Sequence, residues 1–239
     1  GVQTCALPIC LGLLSLPLRG QDIPGPDSLS TVTVPLPKNL STFVKNRTAA
    51  LRLGKALFWD EQTGGDGRVA CATCHDPAKG FTDQKSVSSG VGGKTGARSA
   101  PTVVNTAFGI FQFWDGRAPS LEEQAKGPIA NPIEMANTHD GAVRNISAIE
   151  GYRAYFEKAF GDSKVTIDRI AEAIASYERT VLSGNSAWDR FIDGDKKALS
   201  ESAQRGLHLF EGKALCTRCH VGFNLSDGLF HNIGVGMSA

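Results

Sequence analysis

The chain has 239 residues, 41% of them hydrophobic and 21% charged, with a formal net charge of +1. That composition is ordinary for a globular protein and leaves room for one large or two small domains. No block of basic residues stands out, which argues against nucleic acid as a partner. No apolar run reaches the roughly 18 residues that a membrane span requires.

In chain order, residues 10–18 (CLGLLSLPL) are short and apolar, like the central part of an export signal, without a basic flank in front. Residues 1–36 are therefore expected to be a leader remnant and an extended arm rich in Pro, Ser and Thr. Residues 46–59 (NRTAALRLGKALFW) carry apolar side chains at helical spacing and predict a first helix. A Gly-rich turn and the motif Cys71-Ala-Thr-Cys74-His75 follow. Residues 77–100 are rich in Gly, Ser and Lys with little apolar pattern, which predicts a long surface loop, a feature often tied to function.

Ser120-Leu-Glu-Glu123 reads as a capping box opening a short helix. Residues 146–160 present one apolar stripe and predict a helix, broken at 161–164. Ile167, Ile170, Ile174, Tyr177 and Val181 repeat at steps of three and four, predicting a strongly amphipathic helix. A further helix over 199–211 leads into Cys216-Thr-Arg-Cys219-His220. No run of alternating strands appears, so the expected fold is mainly α with long loops. A division at 163/164 gives 37–163 and 164–239, each with one Cys-x-x-Cys-His motif and a helix before it. The second part stops in a loop and is expected to be incomplete.

Two cysteines three apart lie on one face of a helical turn and can form thioethers to the two vinyl groups on one porphyrin edge. The adjacent His then serves as the proximal iron ligand. A zinc site assembled from both pairs is the alternative, but zinc sites place their pairs close in sequence. Here the pairs stand in different halves of the chain and each is followed at once by His. Two covalently held c-type haems are therefore expected, on Cys71, Cys74 and His75 and on Cys216, Cys219 and His220. Cys5 and Cys10 fall in the leader. What such haems do depends on the sixth iron position: two protein ligands make an electron carrier, one leaves the iron open to peroxide.

A wider pattern accompanies the two motifs. LGKALFWD (53–60), VACATCH (69–75), GFTD (80–83), RSAPT (98–102), FWDGRA (113–118), Gly127-Pro128, Glu134-Met135, YERT (177–180) and FHNIG (230–234) occur in that order. From about residue 37 onward the chain resembles the bacterial di-haem cytochrome c peroxidase family, which includes the tryptophan-quinone maturase of methylamine dehydrogenase. The resemblance implies two cytochrome c-like domains, a peroxide-reacting haem on His75 and an electron-receiving haem on His220. It also implies a bridging role between the haems for Trp114, and Gln124 and Glu134 as the pair above the catalytic iron. A carboxylate such as Glu134 can move a proton from the near to the far peroxide oxygen as base, then acid. Gln124 can orient peroxide without titrating, and Pro128 would shape the pocket between them.

The resemblance further implies a periplasmic enzyme. It would reduce hydrogen peroxide to water with electrons from a small cytochrome c or cupredoxin, and a homodimer is usual. Two alternatives stand beside it: a maturase-like enzyme oxidising protein tryptophan or another organic substrate, and a non-catalytic di-haem carrier. Many family peroxidases place a His in the loop after the first haem, which occupies the sixth iron position until reduction expels it. Residues 77–100 hold no His and no Met, so an iron open at rest is expected. His139, His208 and His231 remain, His139 being the one credible stray ligand. The Met or Tyr that family members set over the second iron falls beyond residue 239, and Met237 reads as a loop residue. Some members bind calcium between the domains with an Asn where this chain has Ser99, which leaves calcium open.

Overall fold

The structure, a computed structural model, describes residues 45–222 and 224–234. The expected leader and arm over 1–36, and Met237, lie outside the described residues. Among the described residues there are helices, turns and three isolated bridges, and no strand. The chain divides into two compact units, one running through Val181 and the other beginning at Leu182.

The first unit is built around helix α1 (Arg47–Trp59). Asn46 caps it by accepting from the Ala49 N–H at 3.1 Å, as a side-chain oxygen does at a helix start. Its buried residues Ala50, Leu53, Gly54, Leu57 and Phe58 follow the three-and-four spacing of a helix face. Helix α2 (Cys71–Cys74) is the single turn of the first Cys-x-x-Cys-His motif. Helix α3 (Leu121–Ala130) opens on Ser120, whose Oγ accepts from the Glu123 N–H at 3.2 Å. The apolar stripe predicted over 146–160 is divided between α4 (His139–Ala148) and α5 (Glu150–Phe160). Ile149 stands between them in extended backbone, closing one helix and opening the next, while its side chain packs against the core. Thr138 caps α4 through the Gly141 N–H at 2.9 Å, so this helix starts earlier than the apolar pattern suggests.

Helix α6 (Ile167–Glu178) carries the amphipathic stripe and packs against α1, as α5 does, with α3 on another side of α6. The α1–α6 crossing depends on small residues. A Cβ on Gly54 would lie 1.7 Å from the Ala173 carbonyl oxygen, so the two backbones touch where no side chain fits. Because α6 closes onto α1, this unit extends through Val181, and the division expected at 163/164 falls inside it.

The second unit holds α7 (Ala187–Ile192), α8 (Glu201–Glu211) and the turn Cys216–Arg218 of the second motif. Ser200 caps α8, accepting from the Ala203 N–H at 3.2 Å.

Candidate functional site

The two motifs are built alike. In the first, His75 ends the turn of α2, and its Nδ1–H donates to the Phe81 carbonyl at 3.1 Å. That bond fixes the tautomer and leaves Nε2 as the ligating nitrogen. Burial pushes the His75 imidazole below its ordinary value, partly offset by hydrogen bonds to backbone carbonyls; the neutral ring is the form that binds iron. In the second motif His220 Nδ1 meets the Leu225 carbonyl at 3.0 Å. Each imidazole also packs beside a Phe one residue before the end of the preceding helix. Phe58 on α1 is 6.4 Å from the His75 ring and Phe210 on α8 is 6.0 Å from the His220 ring, centroid to centroid.

These residues fit a covalently attached haem. The four cysteines are free thiols rather than disulfides, each pair is spaced one turn apart, and each His has its Nδ1 engaged by a backbone carbonyl. Burial, then the nearby Glu178 carboxylate, pushes the Cys71 thiol up to about 12, and burial also raises Cys74. Both shifts favour the neutral thiol form of the first pair. Haem on His75 and on His220 would supply redox-active iron with covalent retention.

Glu134 is carried by a return loop folded back on the end of α3. The Met135 N–H donates to the Pro128 carbonyl, the Ala136 N–H to that of Asn131 and the Asn137 N–H to that of Ile129, at 3.2, 2.9 and 2.9 Å. Pro128, inside α3, has no N–H for the Gln124 carbonyl four residues earlier, which loosens the helix where the loop begins. Glu134 Oε1 accepts from Asn131 Nδ2 at 2.8 Å. Burial raises its carboxyl above the usual carboxylate range, opposed by the Arg117 guanidinium and the Asn131 bond. Its charge also acts on the Cys74 thiol, so this carboxylate and the first haem-attachment turn share one neighbourhood.

Two loops fasten the Glu134 segment. The Val91 N–H donates to the Glu134 carbonyl at 2.8 Å and Lys94 Nζ to the Pro132 carbonyl at 3.1 Å. A Cβ on Gly90 would lie 2.1 Å from the Ile133 carbonyl oxygen, so only glycine allows this approach. The FWDGRA loop packs Phe113 close to Gly127 of α3. Arg117 lies over the Phe113 ring at 3.5 Å and pairs with Asp115 at 2.8 Å. Trp114 is 42% exposed and donates from Nε1 to the Ser99 carbonyl at 2.8 Å. Arg98 pairs with Asp115 at 3.2 Å. Ser99, the position tied to calcium by resemblance, thus has its carbonyl committed to Trp114.

The Glu134 carboxyl thus feels the Arg117 charge and acts on the Cys74 thiol, and Trp114 is tied to the far end of the 77–100 loop. Gln124 lies half-buried on α3, one turn past the Ser120 cap. The remaining histidines are engaged or exposed. His139 Nε2 meets the Lys126 carbonyl at 3.0 Å, joining α4 to α3. His231 pairs with Asp227 at 2.7 Å, and His208 is exposed on α8. Arg117 and Asn131, which set the charge balance of Glu134, carried no assigned role in the sequence. The Arg of FWDGRA was a signal for the first, and nothing marked the second.

A mainly helical chain with two such motifs defines a c-type haem protein, and comparison with known proteins narrows this. Residues 48–197 match the family model described as di-haem cytochrome c peroxidase, and the chain belongs to that family. It is 43% identical over 183 residues to cytochrome c551 peroxidase of Nitrosomonas europaea, covering 77% of this chain and 54% of that one. It is 42% identical over 185 residues to methylamine utilization protein MauG of Methylophilus methylotrophus, covering 77% and 55%. Among solved structures, a MauG-like protein associated with microbial copper homeostasis aligns with a TM-score of 0.70 at 32% identity, over 77% of this chain and 55% of that one. The chain spans about half the length of these relatives.

Proposed function

We propose that this chain carries the peroxide-reducing part of a periplasmic di-haem cytochrome c peroxidase, which takes electrons from a small cytochrome c or cupredoxin and converts hydrogen peroxide to water. The observation that carries this reading is Glu134. It is a half-buried carboxyl raised by burial, restrained by Asn131 and Arg117, and close enough to the first haem-attachment turn to act on Cys74.

Haem held by Cys71, Cys74 and His75 would supply redox-active iron for peroxide reduction. The chain's own groups do the rest. Phe81, through its carbonyl, holds His75 Nδ1 and aims Nε2. Glu134 takes the proton from the near peroxide oxygen and delivers it to the far one, a task suited to a carboxyl shifted toward neutrality. Arg117 opposes the rise that burial imposes on the Glu134 carboxyl, and Gln124 orients peroxide by hydrogen bonding. Trp114 takes part in passing electrons to that haem. Residues 77–100 supply no His or Met, and Val91 and Lys94 are pinned to 132–134, so this loop would offer no side-chain ligand to the iron held by His75.

Replacing Glu134 with Gln removes the proton carrier and keeps the shape. Peroxide turnover with a reduced small cytochrome c is expected to fall roughly 10²–10⁴-fold with an unchanged haem spectrum; retained turnover would refute the assignment. An all-low-spin spectrum of the oxidised protein, with no peroxide binding before reduction, would sink the open-iron reading. A second reading, oxidation of protein tryptophan or another organic substrate, draws support from the comparable identity to MauG and from the same open iron. Turnover of reduced cytochrome c separates the two, and inertness toward peroxide would leave the carrier.

A further inference from the structure

The first unit contains, around the end of α1, a continuous run of aromatic rings. It begins at His75 and ends in solvent. The Phe58 centroid is 6.4 Å from that of His75, and Phe58 is fully buried. Trp59, the last residue of α1, follows at 4.9 Å and is 40% exposed. Tyr177 of α6 packs against both, 5.3 Å from Phe58 and 5.4 Å from Trp59, and is 8% exposed.

An exposed Trp alone means nothing, because isolated apolar residues are common on protein surfaces. What distinguishes Trp59 is unbroken ring contact between an exposed indole and the imidazole that holds the haem. Indole is among the side chains most easily oxidised by one electron, and Phe58, which is not, serves as the packed medium between Trp59 and His75. The exposed indole face also suits planar aromatic molecules, which stack on it.

We propose that Trp59 is a surface oxidation site at which small aromatic one-electron donors, phenols or aromatic amines, feed electrons to the haem on His75. The inference rests on the peroxidase reading above and extends its donor class. Written for a phenol, H2O2 + 2 ArOH → 2 H2O + 2 ArO•. The peroxide O–O bond breaks, accepting two electrons and two protons. Each of two phenols loses one electron through Trp59 and releases its O–H proton to water, and Trp59 returns to its starting state after each transfer.

The test uses the haem-loaded protein, hydrogen peroxide and two donors, 2-methoxyphenol and a reduced small c-type cytochrome. A nitrone spin trap, read by mass spectrometry on the tryptic peptide 56–68, whose one Trp is Trp59, reports the radical itself. The expected result is a spin-trap adduct on Trp59 in the parent protein, absent from Trp59→Phe. That variant keeps an aromatic ring in place, so it should turn over the cytochrome at the parent rate while losing about tenfold with 2-methoxyphenol. Tyr177→Phe, which keeps the packing, should retain the adduct. No adduct on the parent peptide together with equal phenol turnover in Trp59→Phe overturns this proposal alone if the cytochrome is still consumed. A haem-loaded protein that consumes peroxide with neither donor overturns both readings.

Discussion

Glu178 shows how one buried group ties stability to pH. Its side chain is buried at the end of α6, and its neighbour Arg179 is committed to Glu122 at 2.7 Å. Burial pushes its carboxyl up from 4.5 to about 8, with Arg179 opposing the rise. A raised folded value means the native state holds the proton more tightly than the unfolded chain. The neutral acid is therefore tolerated at low pH, and stability declines as pH climbs from about 4.5 through 8. Glu172, raised by burial to about 7, adds to the same slope. Glu178→Gln is expected to flatten that decline and to gain roughly 1–3 kcal/mol at pH 8 in denaturant titrations, with little change at pH 4. A variant as pH-sensitive as the parent would show that Arg179 already neutralises the site. At this scale the sequence discloses the attachment residues, because Cys-x-x-Cys-His states its chemistry outright. It does not disclose Phe81 and Leu225, since their contribution is a backbone carbonyl that any residue could offer. The same holds for the surroundings of Glu134, whose burial and exposure to the Arg117 charge arise only after the 131–137 loop has folded back.

Among the elements, the α1–α6 crossing carries the sharpest constraint. Gly54→Ala places a methyl carbon where the Ala173 carbonyl oxygen already is, and neither backbone can yield without moving a core helix. The expected cost is about 3 kcal/mol or more, seen as a lowered thermal midpoint of the haem-loaded protein. Gly206→Ala on exposed α8 meets no atom within 4 Å and should be neutral or slightly stabilising. A Gly54→Ala protein as stable as the parent would disprove the close contact. Helices α1, α3, α6 and α8 were legible from periodicity and caps, and the apolar stripes of α1, α3 and α6 face a single core. The stripe over 146–160 was legible as helical but not as two helices. Ile149 leaves helical geometry to pack inward, and no Pro or paired Gly announces that turn. Residues 161–164 read as a helix break at a boundary between two parts, yet they only reverse the chain so that α6 can return to α1.

For the molecule as a whole, family membership and helical class followed from ordered motifs, whereas the extent of the first unit followed from packing that motifs do not encode. A chain ending after residue 163 leaves α1 without α6 and should not hold cooperative helical structure. One continued through Val181 keeps the α1–α6 contact and should fold once haem is attached, as read by circular dichroism through thermal melting. Equal behaviour of the two would show that α6 is dispensable.

The closing of α1 by a helix so far downstream also sets an order in time. At about 5–20 residues per second, roughly 5–20 s of synthesis separate the emergence of Cys71–Cys74 from that of Ile167–Glu178. Throughout that interval the thiols stand on an unclosed chain, open to whatever joins them to porphyrin. Once α6 arrives, Tyr177 covers Phe58 and Glu178 comes to rest beside Cys71. The late helix is thus the latch of the first haem pocket, and cofactor joined before it shuts is enclosed by the fold rather than inserted into it.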